Sequence, residues 1–204
     1  YLARETVLLG VLPYLLASKP ERALVIGLGG ANTVDALTRT DLSEIDVVEL
    51  EPGVVEAARV LYEGPETPLD DPRVHVKIGD GRHELLLGRH RDGARYDLIA
   101  SQPSHPWVAG AANLFTEEFF RLARENLTEQ GVFAVWVNGF RTDPESILAL
   151  LSSFERVFPG ALLVDGGSAR PRDSLLLLGS GQPLRVDPAR LADRLSEPKL
   201  AALL

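Results

Sequence analysis

The stretch Arg22 to Glu51, RALVIGLGGANTVDALTRTDLSEIDVVELE, leaves the chain few folds to choose from. Ala23 to Ile26 is a short, β-branched-rich apolar run that stops at Gly27, the pattern of a buried strand. Gly27, Gly29 and Gly30 lack a Cβ, so the chain can turn tightly there and a ligand can come close to the backbone. Asn32 is the expected N-cap of a helix running to about Thr38. A second apolar strand, Ile45 to Val48, ends on Glu49, 20 residues after Gly29. At that spacing an acidic side chain on the tip of the second strand can accept hydrogen bonds from both ribose hydroxyls of a nucleotide lying on the glycine turn. The unit reads as the adenosine-binding half of a doubly wound α/β domain.

The same glycines also fit a tight strand-to-helix connection that binds nothing, and Glu49 is what favours the ligand. A dinucleotide turn calls for a third glycine where this chain has Asn32, so that the helix can pack closely beneath a pyrophosphate. Its absence points to a nucleoside without phosphates, S-adenosylmethionine or a relative, rather than NAD.

The chain has 204 residues, of which 45% are hydrophobic, enough to bury one sizeable core. We expect a single nucleoside-binding domain over 1–204, with a helical lead-in at 1–20 and a helical attachment at 187–204. A net charge of -8 argues against nucleic acid, which needs a basic stripe along its phosphates. The densest basic cluster, Arg89, His90, Arg91 and Arg95, is interrupted by Asp92 and Asp97 and reads as a solvated loop. With no cysteine the chain has no disulfide, thiolate metal site or cysteine nucleophile, which fits a reducing, cytoplasmic setting. His75, His83, His90 and His105 show no paired spacing with carboxylates, so no metal site is expected. Methionine is absent even from position 1, and the chain reads as a piece of a longer product. Val7 to Ala17, the longest apolar run, contains Gly10 and Pro13 and is about half the ~20 residues needed to cross a bilayer. Neither a signal peptide nor membrane contact by this piece is expected. Leu8, Leu9, Leu12, Leu15 and Leu16 fit one face of a packed helix.

Strands and helices then alternate, which calls for a mainly parallel sheet covered on both faces. Pro52 to about Leu61 is a helix with proline in its first turn. A polar loop leads to a third strand, Val74 to Ile78, which ends in Gly79-Asp80-Gly81. Asp80 therefore stands at a strand's carboxyl end, where such sheets bind ligands. It can accept from an adenine amino group, cap the helix Arg82 to Leu87, or do both. The fourth strand, Tyr96 to Ala100, runs into Ser101 to Asn113, whose prolines and Trp107 suggest a rigid wall at the same edge. Trp107 would stack on a ligand or fill the core. Thr116 to Asn126 is a helix with Thr116 as cap, and Gln130-Gly131 turns the chain into a fifth strand, Val132 to Val137. From Asp143 a capped helix runs to about Phe158. Ala161 to Val164 and Ser174 to Leu178, joined by GGSARPRD, make an antiparallel pair. The expected architecture is the Rossmann-like fold of class I S-adenosylmethionine-dependent methyltransferases. It has a mainly parallel seven-stranded sheet closed by a C-terminal antiparallel hairpin.

ALVIGLGG, VVELEPGVVEAAR, DPRVHVKIGDGR, YDLI with its Pro-rich loop, NLFTEEFF and GVFAVWV, in this order, resemble the polyamine aminopropyltransferases, the spermidine synthase family. The resemblance covers roughly Leu8 to Val137. The loop SQPSHPW is most similar to a bacterial subgroup in which the domain is fused to membrane-spanning segments, which would tether a cytoplasmic domain. The resemblance implies transfer of an aminopropyl group from decarboxylated S-adenosylmethionine to an amine, with release of methylthioadenosine. It implies that Glu49 holds the ribose, Asp80 and Gly81 the adenine, and Gly27 and Gly29 the close approach of the nucleoside. A homodimer is compatible with it.

The catalytic half departs from the family pattern. The family has aspartate where this chain has Gln102 and Gly30, an acidic residue where it has His105, and a Tyr-His-Glu cluster near Glu5, Thr6 and Val7. A diamine acceptor is a dication, and its binding calls for carboxylates to offset lost hydration. Gln102, which also borders the nucleoside, hydrogen-bonds but takes no proton at neutral pH. His105 has an imidazole suited to that task and is the candidate base, with a surface or structural role as the alternative. Three functions follow: aminopropyl transfer, another S-adenosylmethionine-dependent reaction on the same scaffold, or a nucleoside-binding sensor or scaffold without turnover.

Overall fold

The structure is a computed structural model that describes residues 4–62, 67–91, 95–104, 108, 110–140, 142–167 and 173–203, with the backbone alone for 89–91. Among these, seven strands form one sheet: β1 (Arg22–Ile26), β2 (Glu44–Glu49), β3 (Val74–Ile78), β4 (Tyr96–Ser101), β5 (Leu127–Asn138), β6 (Leu162–Asp165) and β7 (Ser174–Ser180). Their order is β3-β2-β1-β4-β5-β7-β6. The first five strands run parallel, and β7 lies antiparallel between β5 and β6. The reversal of direction on either side of β1 makes the carboxyl edge at β1 and β4 the switch point of the sheet. This is the expected fold, and β1 to β4 begin and end within a residue of the expected limits.

Side chains alternate across the strands and build two cores. One face carries Ala23, Val25, Val47, Leu98, Ala100 and Ala134, covered by α1 (Arg4–Leu16), α2 (Asn32–Thr38) and α3 (Pro52–Leu61). The other carries Leu24, Ile26, Val48, Ile99 and Phe133, covered by α4 (Gly81–Arg91), α5 (Glu117–Asn126) and α6 (Pro144–Val157). Phe120 meets Phe154 edge-on at 5.1 Å between ring centres, and Phe133 stacks on Phe158 at 5.5 Å. These five-to-six-ångström pairs fix how α5 and α6 sit on β5.

Four local expectations are corrected. Ala31, not Asn32, precedes the first turn of α2; it adopts a left-handed φ of 62° and makes no side-chain cap bond. Asn32 is thus the first helical residue, because the glycine turn needs one more residue to bring the chain round. The helix after Asp80 does not stop at Leu87 but runs through Gly88 to Arg91, so Arg89, His90 and Arg91 belong to a helix rather than a loop. Strand β5 begins at Leu127. It spends five residues from Leu127 to Val132 where β4 spends two from Tyr96 to Leu98, so Gln130-Gly131 lies in a bulge, not in a turn between elements. The first helix buries Val7, Val11, Tyr14 and Leu15 on several sides, whereas Leu8, Leu12 and Leu16 are only half-buried. It lies between α2 and the sheet, so a one-faced pattern does not describe it.

The C-terminal residues form α7 (Pro188–Leu195) and α8 (Pro198–Ala201), and α7 closes the end of α1. The guanidinium of Arg194 donates to the carbonyls of Tyr14, of Ala17 at 2.8 Å and of Ser18 at 2.9 Å, and lies 4.8 Å over the Tyr14 ring. Helix ends leave carbonyls without intrahelical donors, and one planar cation serves four carbonyls at and just past the end of α1, that of Leu15 included. Arg194→Ala is expected to lower unfolding stability by about 2 kcal/mol, read from denaturant midpoints. A change under about 0.5 kcal/mol, the scale of an ordinary surface site, would mean that the contact does not hold α1.

Candidate nucleoside site

The site is built on the carboxyl ends of β1, β2, β3 and β4, stitched together just beyond the strands. Gly27 N–H donates to Val48 O at 2.9 Å, Gly79 N–H to Glu49 O at 2.9 Å, and Gln102 N–H to Ile26 O at 2.8 Å. Gly27 has φ +86°, and a Cβ there would stand 2.6 Å from the Gln102 carbonyl oxygen. The first glycine is therefore required by the crossing of two chain segments. Gly29, with φ +51°, and Gly30 are exposed, and among the described residues the only atom within 4 Å of a Cβ on Gly29 would be Gln102 Nε2 at 3.8 Å. They leave open the surface that a ligand would use.

Glu49 ends β2 at that surface and is 8% exposed. Its Oε2 accepts from Leu28 N–H at 2.8 Å, inside the glycine turn, and its Oε1 accepts from Glu51 N–H at 3.0 Å. The carboxylate points along the strand tip, not into the core. Each oxygen keeps a lone-pair direction beyond the backbone bond. Asp80 is exposed, and its Oδ1 accepts from His83 N–H at 2.9 Å, the capping contact expected of it. Its second oxygen has no such bond to α4. Gly81 is required for a different reason: a Cβ there would overlap Ile26 Cγ2, so α4 starts directly on β1.

Two residues escaped the sequence reading. Leu50 and Ile78 are 59% and 48% exposed, and they follow and pair with Glu49 on the β2 and β3 tips. Apolar side chains exposed at a ligand edge suit the flat face of a base. The available signal was a large aliphatic residue at each strand end beside the acid, where a solvated loop usually has polar ones.

Gln102 is half-buried at the end of β4. Its amide lies 3.2 Å from Thr33 Oγ1 on α2, and that hydroxyl is 2.9 Å from the Thr6 carbonyl on α1. The structure thus brings Gly27, Gly29, Glu49, Asp80, Gly81 and Gln102 to one edge. His105 and Trp107 lie outside the described residues. Elsewhere, a 290 Å3 cavity lined by Arg22, Asp46, His75, Lys77, Glu84 and Tyr96 opens over β2. There the Tyr96 hydroxyl donates to Asp46 at 2.8 Å, and burial pushes both groups above their ordinary pKa values. A 480 Å3 cavity near Lys19, Asp97 and Glu129 lies at the opposite end of the strands. Neither includes Glu49, Asp80 or Gln102, and the candidate site is taken from the convergence of strand tips and polar groups rather than from cavity size. Among the described residues no three His, Asp or Glu side chains converge on a metal position, and no helix is long and apolar enough to cross a membrane.

The model of the spermine/spermidine synthase domain family matches residues 3–164. The chain belongs to that family. As a spermine/spermidine synthase domain it is 33% identical over 154 residues to the polyamine aminopropyltransferase of Thermococcus kodakarensis, covering 72% of this chain and 52% of that protein. It is 28% identical over 148 residues to that of Bacillus mycoides, with the same two shares. The chain spans about half the length of the curated relatives it matches. Among solved structures, a spermidine synthase in complex with the transition-state analogue AdoDATO superposes with a TM-score of 0.77 at 24% identity, over 91% of this chain and 62% of that one. Human methyltransferase-like protein 13 in complex with SAH superposes with a TM-score of 0.68 at 22% identity, over 98% of this chain and 89% of that one. At these identities the two structures establish the fold.

Proposed function

We propose that this domain binds S-adenosylmethionine, its decarboxylated form or methylthioadenosine across the glycine turn, and transfers the nucleoside's alkyl side chain to an amine. The observation that carries the reading is Glu49, held at the β2 tip by Leu28 and Glu51 N–H with Leu50, Ile78 and Asp80 beside it. Glu49 would accept from the two ribose hydroxyls, Leu50 and Ile78 would sandwich the adenine, and Asp80 and Gly81 would meet its amino edge. Family membership favours alkyl transfer over other uses of the scaffold.

In that reaction the acceptor nitrogen's lone pair forms a bond to the side-chain carbon attached to sulfur. The carbon–sulfur bond breaks with its electron pair going to sulfur, so the sulfonium becomes neutral methylthioadenosine. The acceptor must be neutral when it attacks and must then lose a proton. Gln102 can orient the amine but cannot take that proton. His105, which carries an imidazole, is the residue on this loop that can. A longer gene product with membrane-spanning segments would hold the domain at the cytoplasmic face. The neutral amide at position 102 also supports a second reading, a sensor that binds the nucleoside without turnover.

Incubation with S-adenosylmethionine or its decarboxylated form plus primary amines, followed by identification of the nucleoside product, separates the readings. Methylthioadenosine is the expected product. S-adenosylhomocysteine would mean methyl transfer, and unchanged nucleoside with measurable binding would mean a sensor.

A further inference from the structure

The Gly29–Gly30 surface also bears on which nucleoside tail fits, an inference that rests on the nucleoside reading above. A tail leaving a ribose on Glu49 and crossing this turn runs towards Gln102, whose amide nitrogen stands 3.8 Å from a Cβ on Gly29, and towards Asn32, whose amide nitrogen stands 3.8 Å from a Cβ on Gly30. Both are uncharged. Among the described residues, the two buried carboxylates, Asp35 and Glu49, are already engaged. Glu49 accepts two backbone N–H groups, and buried Asp35 holds Arg39 and the Tyr62 hydroxyl. Glu5 rests its Cβ against Gly166 at the β6–β7 end. The sequence from Ser101 to Thr116 contains no Asp, Glu, Lys or Arg.

Decarboxylated S-adenosylmethionine carries a sulfonium and an ammonium with no anion, and a buried cation needs a compensating charge. S-adenosylmethionine has the same two cations, but its ammonium sits beside its own carboxylate. A primary amide offers one acceptor oxygen and two N–H donors, which match an ammonium and a carboxylate together. Only the end of the Gln102 amide not held by Thr33 faces the turn, and as placed that end is the nitrogen, the donor a carboxylate needs.

We propose that the pair Gln102 and Asn32 selects the zwitterionic amino-acid tail, so that S-adenosylmethionine rather than its decarboxylated form is the ligand this domain prefers. An alkyl group transferred from it would carry a carboxylate, with methylthioadenosine still the leaving nucleoside.

Titration calorimetry of this chain with S-adenosylmethionine, its decarboxylated form and methylthioadenosine tests the preference. S-adenosylmethionine is expected to bind at least about fivefold more tightly than the decarboxylated form. Any smaller ratio, with methylthioadenosine still binding, overturns the tail assignment and leaves the nucleoside reading intact. Binding of none of the three overturns the nucleoside reading itself. Gly30→Asp places a carboxylate where, among the described residues, a Cβ meets nothing closer than Asn32 and φ lies outside the left-handed region, and Gln102→Asp places one just past β4. Each is expected to shift the ratio towards the decarboxylated form by about fivefold or more. An unchanged ratio in both variants would place the tail elsewhere.

Discussion

Gly27→Ala is expected to destabilise the domain by about 3 kcal/mol or more, the sum of a left-handed backbone cost of roughly 1–2 kcal/mol and overpacking of roughly 1–3 kcal/mol. The added Cβ would stand 2.6 Å from the carbonyl oxygen of Gln102 at a φ of +86°. Neither partner can move away cheaply. The Gln102 N–H is bonded to Ile26 O at 2.8 Å, and the Gly27 N–H to Val48 O at 2.9 Å, so relief would part β1 from β4 or from β2. Gly53→Ala is the control, since a Cβ there meets nothing within 4 Å and the residue lies in helix α3. That change should be neutral or stabilising by up to about 1 kcal/mol. Chemical denaturation of both variants reads the difference. Equal midpoints would mean that the turn is not pinned by the crossing of strand ends.

Glu49→Ala is expected to act on binding and stability together. Removing the carboxylate leaves the Leu28 and Glu51 N–H groups without their partner at a position only 8% exposed. The buried Leu28 N–H left unpaired costs about 1–3 kcal/mol, whereas the N–H of exposed Glu51 can turn to water, and the glycine turn loses its tie to β2. Affinity for methylthioadenosine should fall by a further 1–3 kcal/mol, on the order of tenfold to a hundredfold, because a charged acceptor for two hydroxyls is gone. Glu49→Gln separates the effects. The amide keeps one acceptor for the backbone but presents N–H to the other donor, so binding should still weaken while stability falls less. Calorimetry at a temperature where each variant is folded gives the affinity. An unchanged value for Glu49→Ala would contradict the assigned role.

Much of the ligand edge could be read from residue order because its determinants are local. A β-branched run ended by glycine, an acid 20 residues after Gly29 and an aspartate between two glycines each announce a strand tip. What escaped depends on tertiary geometry. The left-handed Ala31 has no sequence signal, because alanine ordinarily avoids that region and is held there by the turn around it. The first helix is enclosed by α2 and the sheet, so its burial follows neighbours rather than a single stripe. The bulge in β5 arises because Tyr96 and Leu98 pair with residues five apart, which no local pattern encodes. Glu49 was legible as an acid at the β2 tip, but its hold on Leu28 N–H was not. That bond makes the side chain proposed to hold the ribose also the brace of the glycine turn. Gln102 was legible as a departure in charge, whereas its tie through Thr33 to the first helix needed the structure.

A crystal structure of this chain with methylthioadenosine tests the nucleoside assignment most directly. Both ribose hydroxyls should lie within hydrogen-bonding distance of Glu49, with the adenine between Leu50 and Ile78 and its amino group at Asp80. A nucleoside bound away from the β2 tip, or a folded protein that takes up none at saturating concentration, would contradict the account.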